Sequence, residues 1–465
     1  MPLLGESNPR QGFSVSSGFK IDNSVMLSDG DSEKFTKTFA DTPSNTKKFT
    51  ISGWYKRVSD DQYDHFFGAG TGATTGRVQC YTHSNGRIVF EMYHGSGWNT
   101  IITDRVFRDT HAWYNLMFVM DIQNPVADDR MRIYVNGERA TIDSTGAGGA
   151  VTHNPISNTA LNHLMFSNST EMEIGDSGDN GMFDGYMAEV IGLDGRALTS
   201  MSPFAENSDN GVWIPKDPTD ELAVSTTAEA IVNTTSAVSG TDTAAYTFSS
   251  VALGTASTDR AVYVWTSGQG PSVSAFNVNT MTVGGVSASL VQVADSSAEP
   301  QYMGELWRAD VPTGTTGDIV VTWNSALSQC GVSVWSVTGD HEEFAIATDL
   351  SNSTSSVSFT NVPDNSVILA GRGSTSSVTH TWSADVTENV DQTIEGSVTH
   401  SAASKFHATG GSKTVTCTPS GTDSRARMVA IVLSPKQGTG RNGFRLKFDA
   451  ANNLGRDASV DSVTA

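Results

Sequence analysis

The stretch Met182–Lys216, MFDGYMAEVIGLDGRALTSMSPFAENSDNGVWIPK, decides how the chain is read. Tyr186, Ala188 and Val190 alternate with Met187 and Glu189, the period-two signature of a strand with one face to a core and one to solvent. Leu193-Asp194-Gly195-Arg196 supplies turn chemistry at its end. Leu198, Met201 and Phe204 then fall at helical spacing within Ala197–Asn207, and Pro203 limits that helix to about one turn.

Three patterns in this stretch, F-x-G-Y-x-A-E-V, D-G-x-A-L and F-x-E-x-x-x-x-G-V-W-x-P-K, carry a resemblance. Together they resemble the laminin-G/concanavalin-A-like sandwich of tail and other virion proteins of tailed bacteriophages. Phe19-Lys20-Ile21-Asp22-Asn23-Ser24, Gly30-Asp31-Ser32 and Phe49-Thr50-Ile51-Ser52-Gly53-Trp54-Tyr55-Lys56-Arg57 are similar to its opening strands. Gly440-Arg441-Asn442-Gly443-Phe444-Arg445-Leu446-Lys447-Phe448-Asp449 and Asn453-Leu454-Gly455 resemble the strand that usually follows G-V-W-x-P-K closely. Here the two blocks stand about 220 residues apart, so a second domain is expected between them. The resemblance covers about half of the chain.

The expected fold class is all-β: a concanavalin-A/laminin-G-like sandwich interrupted by a second, jelly-roll or immunoglobulin-like β-sandwich. The divisions are an extended arm over residues 1–18, a first sandwich over 19–216 plus 438–465, and an inserted domain over 217–437. The arm, with Pro2, Gly5, Pro9 and Gly12 and no sustained period, reads either as a frayed terminus or as a peptide that docks on a neighbouring subunit.

Composition agrees with short strands and many turns. A chain of 465 residues suggests about two to three domains. Gly, Ser, Thr and Val abound, and alternating segments are broken by Gly/Asn/Asp turns. Only 17% of residues are charged, yet the net charge is −21. The insert has 8 Lys/Arg against 21 Asp/Glu and the remainder 21 against 29, so the charge is not a tail. Phosphate binding needs clustered Lys and Arg, and this balance argues against a nucleic-acid partner. Cys80, Cys330 and Cys417 form no metal-spaced cluster; the last two either pair or are buried free thiols. The first residues lack a basic and then apolar leader, and no apolar run reaches the length of a membrane span.

Strands of the first sandwich are expected at Phe49–Lys56, Val78–Thr82, Gly86–Tyr93, Trp98–Ile102, Trp113–Asp121, Arg130–Val135, Leu164–Ser167, Glu171–Ile174 and Tyr186–Leu193. Ser84-Asn85-Gly86 and Asn136-Gly137 mark hairpins. In the insert, Ala261–Trp265, Asp318–Trp323, Gly331–Val337, Val357–Phe359, Ser366–Ala370 and Met428–Leu433 are β runs rich in Val and Trp. Its ends must lie close together, because they interrupt a continuing sheet.

The residues bear on four kinds of chemistry. Glycanases of this fold resemblance carry E-x-D-x-x-E on one strand, whose alternate carboxylates flank a cleft. Glu171-Met172-Glu173-Ile174-Gly175-Asp176 permutes that pattern, and a solvent-facing carboxylate pair before a loop is the plainer reading. There is no G-x-S-x-G, and the ten His, none in H-E-x-x-H, are scattered. For Ca²⁺, Asp176, Asp179, Asn180 and Asp184 in GDSGDNGMFDG resemble a ligand loop in composition and equally resemble a turn that solvates itself. For a glycan, Tyr93, His94 and Trp98 around Gly95-Ser96-Gly97 offer an aromatic platform. Trp382, among polar neighbours, is the insert's tryptophan expected to be exposed, whereas Trp54 and Trp213 are expected to pack.

The resemblance implies a noncatalytic structural protein of a phage particle, a tail-fibre or tail-tip appendage that touches host-surface glycans. Its arm would bind other virion proteins, and it would form a homo-oligomer, a trimer included, without membrane insertion. The rival readings are a capsid decoration or head-fibre protein and a polysaccharide depolymerase.

Overall fold

A computed structural model describes residues 18–58, 63–144, 154–178, 181–225, 230–270, 276–295, 302–383, 385–396, 398–450 and 453–458. The arm expected over residues 1–18 therefore lies outside the described residues except for Gly18. The chain divides into two compact units, Met1–Ala223 with Gly438–Ala465, and Val224–Gln437. Among the described residues the α-helix is limited to one turn, Thr219–Leu222.

The first unit is a two-layer antiparallel sandwich. One sheet runs Val25–Leu27, Gly185–Asp194, Lys48–Arg57, Tyr114–Asp121, Met131–Val135, Glu138–Arg139, with Phe444–Leu446 also on Gly185–Asp194. The other runs Phe35–Lys37, Met172–Ile174, Asp64–Ala69, Val78–Thr82, Ile88–Tyr93, Trp98–Ile102. Alternation in each strand sends Phe49, Ile51, Phe67, Cys80, Phe90, Phe118, Ile133 and Met187 into a shared core. Asn136 at φ 48° and Gly137 at φ 89° make the tight turn that the sequence pattern predicts.

Three local expectations change. The strand Gly185–Asp194 carries a bulge between Ala188 and Ile191, with Glu189 at φ 48°. The extra residue lets both Met187 and Val190 reach the core, and it turns Glu189 inward rather than to solvent. Burial raises the Glu189 carboxyl, and Arg445 Nε, donating to it from the returning strand, opposes that rise. Leu164–Ser167 is a turn with Phe166 at φ 62°, not a strand. The single turn expected within Ala197–Asn207 is present, with Phe204 and Ala205 amides bonding to Met201 O, but the run then continues as a strand in the hairpin Ala205–Asn207/Trp213–Pro215. That hairpin lays Met201, Phe204 and Trp213 on the outer face of the first sheet, against Met117, Val119, Ile191 and Leu193.

Arg196 gathers both ends of the insertion. Its guanidinium donates to Gly438 O at 2.6 Å and is ion-paired with Glu221. Asp194 accepts from the amides of Ser44 at 2.7 Å and Asn442 at 3.0 Å, and its own amide donates to Thr439 O at 2.8 Å. Within the second unit Val224 bridges Gln437, and Ser225 N donates to Lys436 O at 2.8 Å.

The second unit holds two sandwiches, where sequence periodicity suggested one. In chain order the first has strands Ala230–Ser239, Thr243–Ala252, Ala261–Gln269, Val278–Val283, Ser289–Ala294, Tyr302–Asp310, Thr316–Leu327 and Gln329–Thr338, with the short Val286–Ser287 beside the fourth. The second has His341–Asp349, Ser355–Val362, Ser366–Ser374, His380–Trp382, Thr387–Ile394, Val398–His407, Gly411–Pro419 and Arg427–Pro435. Counted this way, both have one sheet in the order first, eighth, third, sixth, fifth and a facing sheet in the order second, seventh, fourth. The unit is thus an internal repeat of one jelly-roll-like topology. Each sandwich has its own core, and a third apolar cluster joins their five-stranded sheets. Cys330 and Cys417, both free, are buried in separate cores.

The joining layer is close-packed. Trp265, fully buried, lies against Gly304 and Gly371, whose missing side chains leave room for the indole. His400 is held between Ser267 Oγ at 2.7 Å from Nδ1 and Ser333 Oγ at 2.9 Å from Nε2, while Tyr302 OH donates to Ser267 Oγ at 2.9 Å. Burial pushes the His400 pKa down to about 3, so the ring is neutral.

Two outcomes are expected. Gly371→Val forces Trp265 out of its slot and should cost about 1–3 kcal/mol, measured as a lowered midpoint in chemical denaturation; an unchanged midpoint would show that the layer yields freely. His400 titrates near 6.5 when unfolded and near 3 when folded, so between those values the unfolded chain binds the extra proton. Its contribution to stability is complete above pH 6.5 and is lost as pH falls through that window. His400→Gln should flatten the acid limb of a stability–pH curve, and a limb of unaltered slope would exclude this residue as its source.

Candidate functional site

The outer face of the six-stranded sheet brings together the aromatic residues expected to hold a glycan. The hairpin around Ser84-Asn85-Gly86 sets Gln79 opposite Glu91, and the next pairing sets Glu91 opposite Thr100 and Tyr93 opposite Trp98. At the hairpin end His94 N donates to Gly97 O at 2.9 Å, and Gly95 at φ 97° closes the turn. Tyr93 and Trp98 meet edge to face, centroids 5.2 Å apart at 69°, and His94 lies nearly parallel to Tyr93. All three are half-buried, and Gly95 and Ser96 beside them are exposed.

A buried polar chain underlies this platform. The Arg77 guanidinium stands 5.4 Å from the Trp98 ring centroid, within cation–π range. It donates to Gln79 Oε1 at 2.8 Å, to Gly72 O at 3.0 Å and to Ser177 O at 3.3 Å. Gln79 Nε2 in turn donates to Glu91 Oε1, and Thr100 Oγ1 donates to Glu91 Oε2 at 3.1 Å. Burial raises the Glu91 carboxyl, while these donors and Arg77 favour its charge. The aromatic pair thus rests on a support whose rotamers are fixed by hydrogen bonds.

Farther along the face lie the carboxylates weighed for catalysis and for Ca²⁺. Glu171 is exposed and precedes the strand Met172–Ile174, whereas Glu173 is buried and not solvent-facing as expected. Lys34 Nζ donates to Glu173 at 2.7 Å and to Asp176 at 2.8 Å. Burial pushes Asp176 up, but the Lys34 bond and the amides of Ser177 and Gly178 outweigh it and hold the carboxyl below the usual range. A cation at Asp176 would have to displace the Lys34 ammonium. Asp184 is half-buried, with its carboxyl raised by burial and by Asp29. Asp179 and Asn180 lie outside the described residues. Among the described residues no group of three His, Cys, Asp or Glu side chains is placed to hold a metal ion.

Trp382 belongs to the other unit. It is half-buried against the core of the second jelly roll, and its Nε1 donates to Ser401 Oγ at 2.9 Å. Of the two framework tryptophans, Trp213 packs on Gly137 and donates to Asn115 Oδ1 at 3.0 Å, while Trp54 is only half-buried. Arg77, Gln79, Glu91 and Thr100 were missed by inspection of motifs. Their signal was the register that Ser84-Asn85-Gly86 imposes on VQCYT and IVFEMY.

Residues 29–202 match the profile of the concanavalin A-like lectin/glucanases superfamily. No curated protein matches the chain. Among solved structures, a heptameric SAP-like pentraxin from Limulus polyphemus is 16% identical over 38% of this chain and 77% of its own, with a TM-score of 0.26. The CBM40 of the Ruminococcus gnavus IT-sialidase bound to α2,3-sialyllactose is 15% identical over 35% and 87%, TM-score 0.25. Tailspike protein 2 of an Escherichia coli O157:H7 bacteriophage is 12% identical over 38% and 23%, TM-score 0.26. Scores of this size carry no argument about function.

Arg77→Lys keeps the charge but not the planar fork. It should destabilise the first unit by about 1–3 kcal/mol, seen in its denaturation midpoint, since Gln79 and two carbonyls lose donors. Wild-type stability in this variant would show that the polar chain is dispensable.

Proposed function

We propose that the protein is a noncatalytic, glycan-binding component of a tailed-phage particle, built around its lectin-like sandwich. The observation that carries the glycan reading is the Tyr93–Trp98 pair, half-exposed at a hairpin end and held from beneath by Arg77. Sugar rings present apolar C–H faces and a hydroxylated rim, so a rigid aromatic platform beside polar groups suits them.

Support for a noncatalytic role is chemical. The outer-face carboxylates Glu91 and Glu173 are both buried and both engaged, one by Gln79 and Thr100, the other by Lys34. A glycoside hydrolase needs one free general acid and one free nucleophile or base flanking a cleft. The particle context rests on the resemblance carried by Met182–Lys216; that reading makes residues 1–18 the docking segment and the protein a homo-oligomer. Capsid decoration is the second particle location.

Localisation and binding test separate parts of this reading. An affinity tag at the C-terminus, labelled on intact particles and viewed by electron microscopy, should sit at one end; label over the shell would move the protein to the capsid. Purified protein should adhere to host cells, and Tyr93→Ala with Trp98→Ala should lower that affinity about tenfold or more, the scale of two lost aromatic contacts. Undiminished adhesion would remove the platform from the mechanism, and release of reducing ends from host polysaccharide would overturn the noncatalytic reading.

A further inference from the structure

The opposite sheet of the same sandwich carries an aromatic groove with no role in the site above. The hairpin Ala205–Asn207/Trp213–Pro215 covers only part of that sheet's outer face. Beyond it an open groove of 480 Å³ is lined by Trp54, Trp113, Ala188, Ile214, Pro215 and the segment Phe19–Ser24. Registers explain how these residues meet. Trp54 pairs with Ala188, and Tyr186 pairs with Lys56 on one side and Met26 on the other, so all five side chains share the outer face.

Two large apolar side chains here are exposed. Trp113 is 38% exposed and Met26 49%. Trp113 and Tyr186 stand 6.4 Å apart at 60°, and Lys56 Nζ lies 5.9 Å from the Tyr186 centroid. The Phe19–Ser24 wall brings Lys20, Asp22 and Asn23, all exposed, to the rim. Leaving a tryptophan on a sheet face without cover is unfavourable unless something else covers it.

We infer that this groove is a second saccharide site, separate from the Tyr93–Trp98 platform, and that it takes a short, uncharged oligosaccharide. Three features choose the ligand class. The volume falls within the range of small-ligand sites, about 300–1,000 Å³. Its walls are broad aromatic faces rather than a closed apolar pit, which suits the C–H face of a pyranose. Its rim offers the Asn23 amide, the Asp22 carboxylate and the Lys20 ammonium, one group of each charge and one neutral, which can bond hydroxyls without selecting a charge. A phosphorylated ligand would meet Asp22 in a protein of net charge −21. This goes beyond the function proposed above, because either site can fail alone.

The test uses the full chain labelled with fluorotryptophan and read by fluorine NMR. The signals of Trp54, Trp113 and Trp98 are assigned from Trp54→Phe, Trp113→Phe and Trp98→Phe. Maltotriose, cellotriose and chitotriose are titrated to their solubility limits. At least one should shift the Trp54 and Trp113 signals together, and Trp113→Ala should weaken that titration about fivefold to tenfold, as expected for one lost stacking contact. Trp113 sits on the rim, so an unchanged Trp98 signal certifies the variant's fold. The proposal is overturned if no trisaccharide moves either groove signal, or if the shifts persist in Trp113→Ala. Shifts confined to Trp98 would also overturn it while leaving the first site intact.

Discussion

Arg196 occupies the position on which the rest of the architecture depends. The seven-stranded sheet is complete only when Phe444–Leu446 pairs with Gly185–Asp194, yet the chain leaves that strand and returns only after the second unit. The loop so closed is long, and closure entropy grows only slowly with length. What the fold must supply is a fixed geometry at the neck. Arg196 does this by binding Glu221 on the way out and Gly438 on the way back, and Asp194 adds the Ser44 and Asn442 amides. Arg196 is 7% exposed and Glu221 half-buried, so removing Glu221 would leave a largely desolvated guanidinium charge.

A neck made this way frees the inserted unit to be large without disturbing the host sheet. The insertion uses that freedom by doubling. Two sandwiches of the same strand order bury their five-stranded sheets against one another, and each then needs only one further sheet to cover its own core. The joining layer is specific because its polar members are satisfied. His400 spends both ring nitrogens on serine hydroxyls, and one of those serines also accepts from Tyr302.

Much of the first sandwich was legible because its signals were local. Val78–Thr82 and Trp98–Ile102 are short runs rich in β-branched and aromatic residues beside turn residues, and their observed limits coincide with the expected ones. Where a bulge breaks the period, the pattern misleads: Glu189 looks like a solvent residue and is a buried partner of Arg445 from the far end of the chain. The repeat in the insert was hidden for a related reason. Topology is carried by hydrogen-bond register, while side chains adapt to the contact between the copies. Trp265 on the third strand of one copy lies over Gly371 on the third strand of the other. Complementary packing requires the copies to differ there, so the sequence similarity that would reveal them is suppressed where they touch.

The candidate sites show the same split between local and distant information. Tyr93, His94 and Trp98 stand out because a hairpin end gathers them within six residues of chain. Arg77 and Glu91 become visible only once register is known, and Trp54 and Trp113 only once the hairpin's limited cover is known. Placing aromatic surfaces on opposite sheets of one sandwich has a physical consequence. If both bind saccharide as proposed, a short oligosaccharide cannot span the core between them, and the two faces would engage separate chains or separate segments of a long polymer. Binding through both raises effective concentration without any new contact, provided the polymer can reach each face. Under the proposed function, such an arrangement would favour retention on a polysaccharide surface over release of a product. It agrees with Glu91, which is engaged by Gln79 and Thr100 beneath the platform and is not left free to protonate a leaving group.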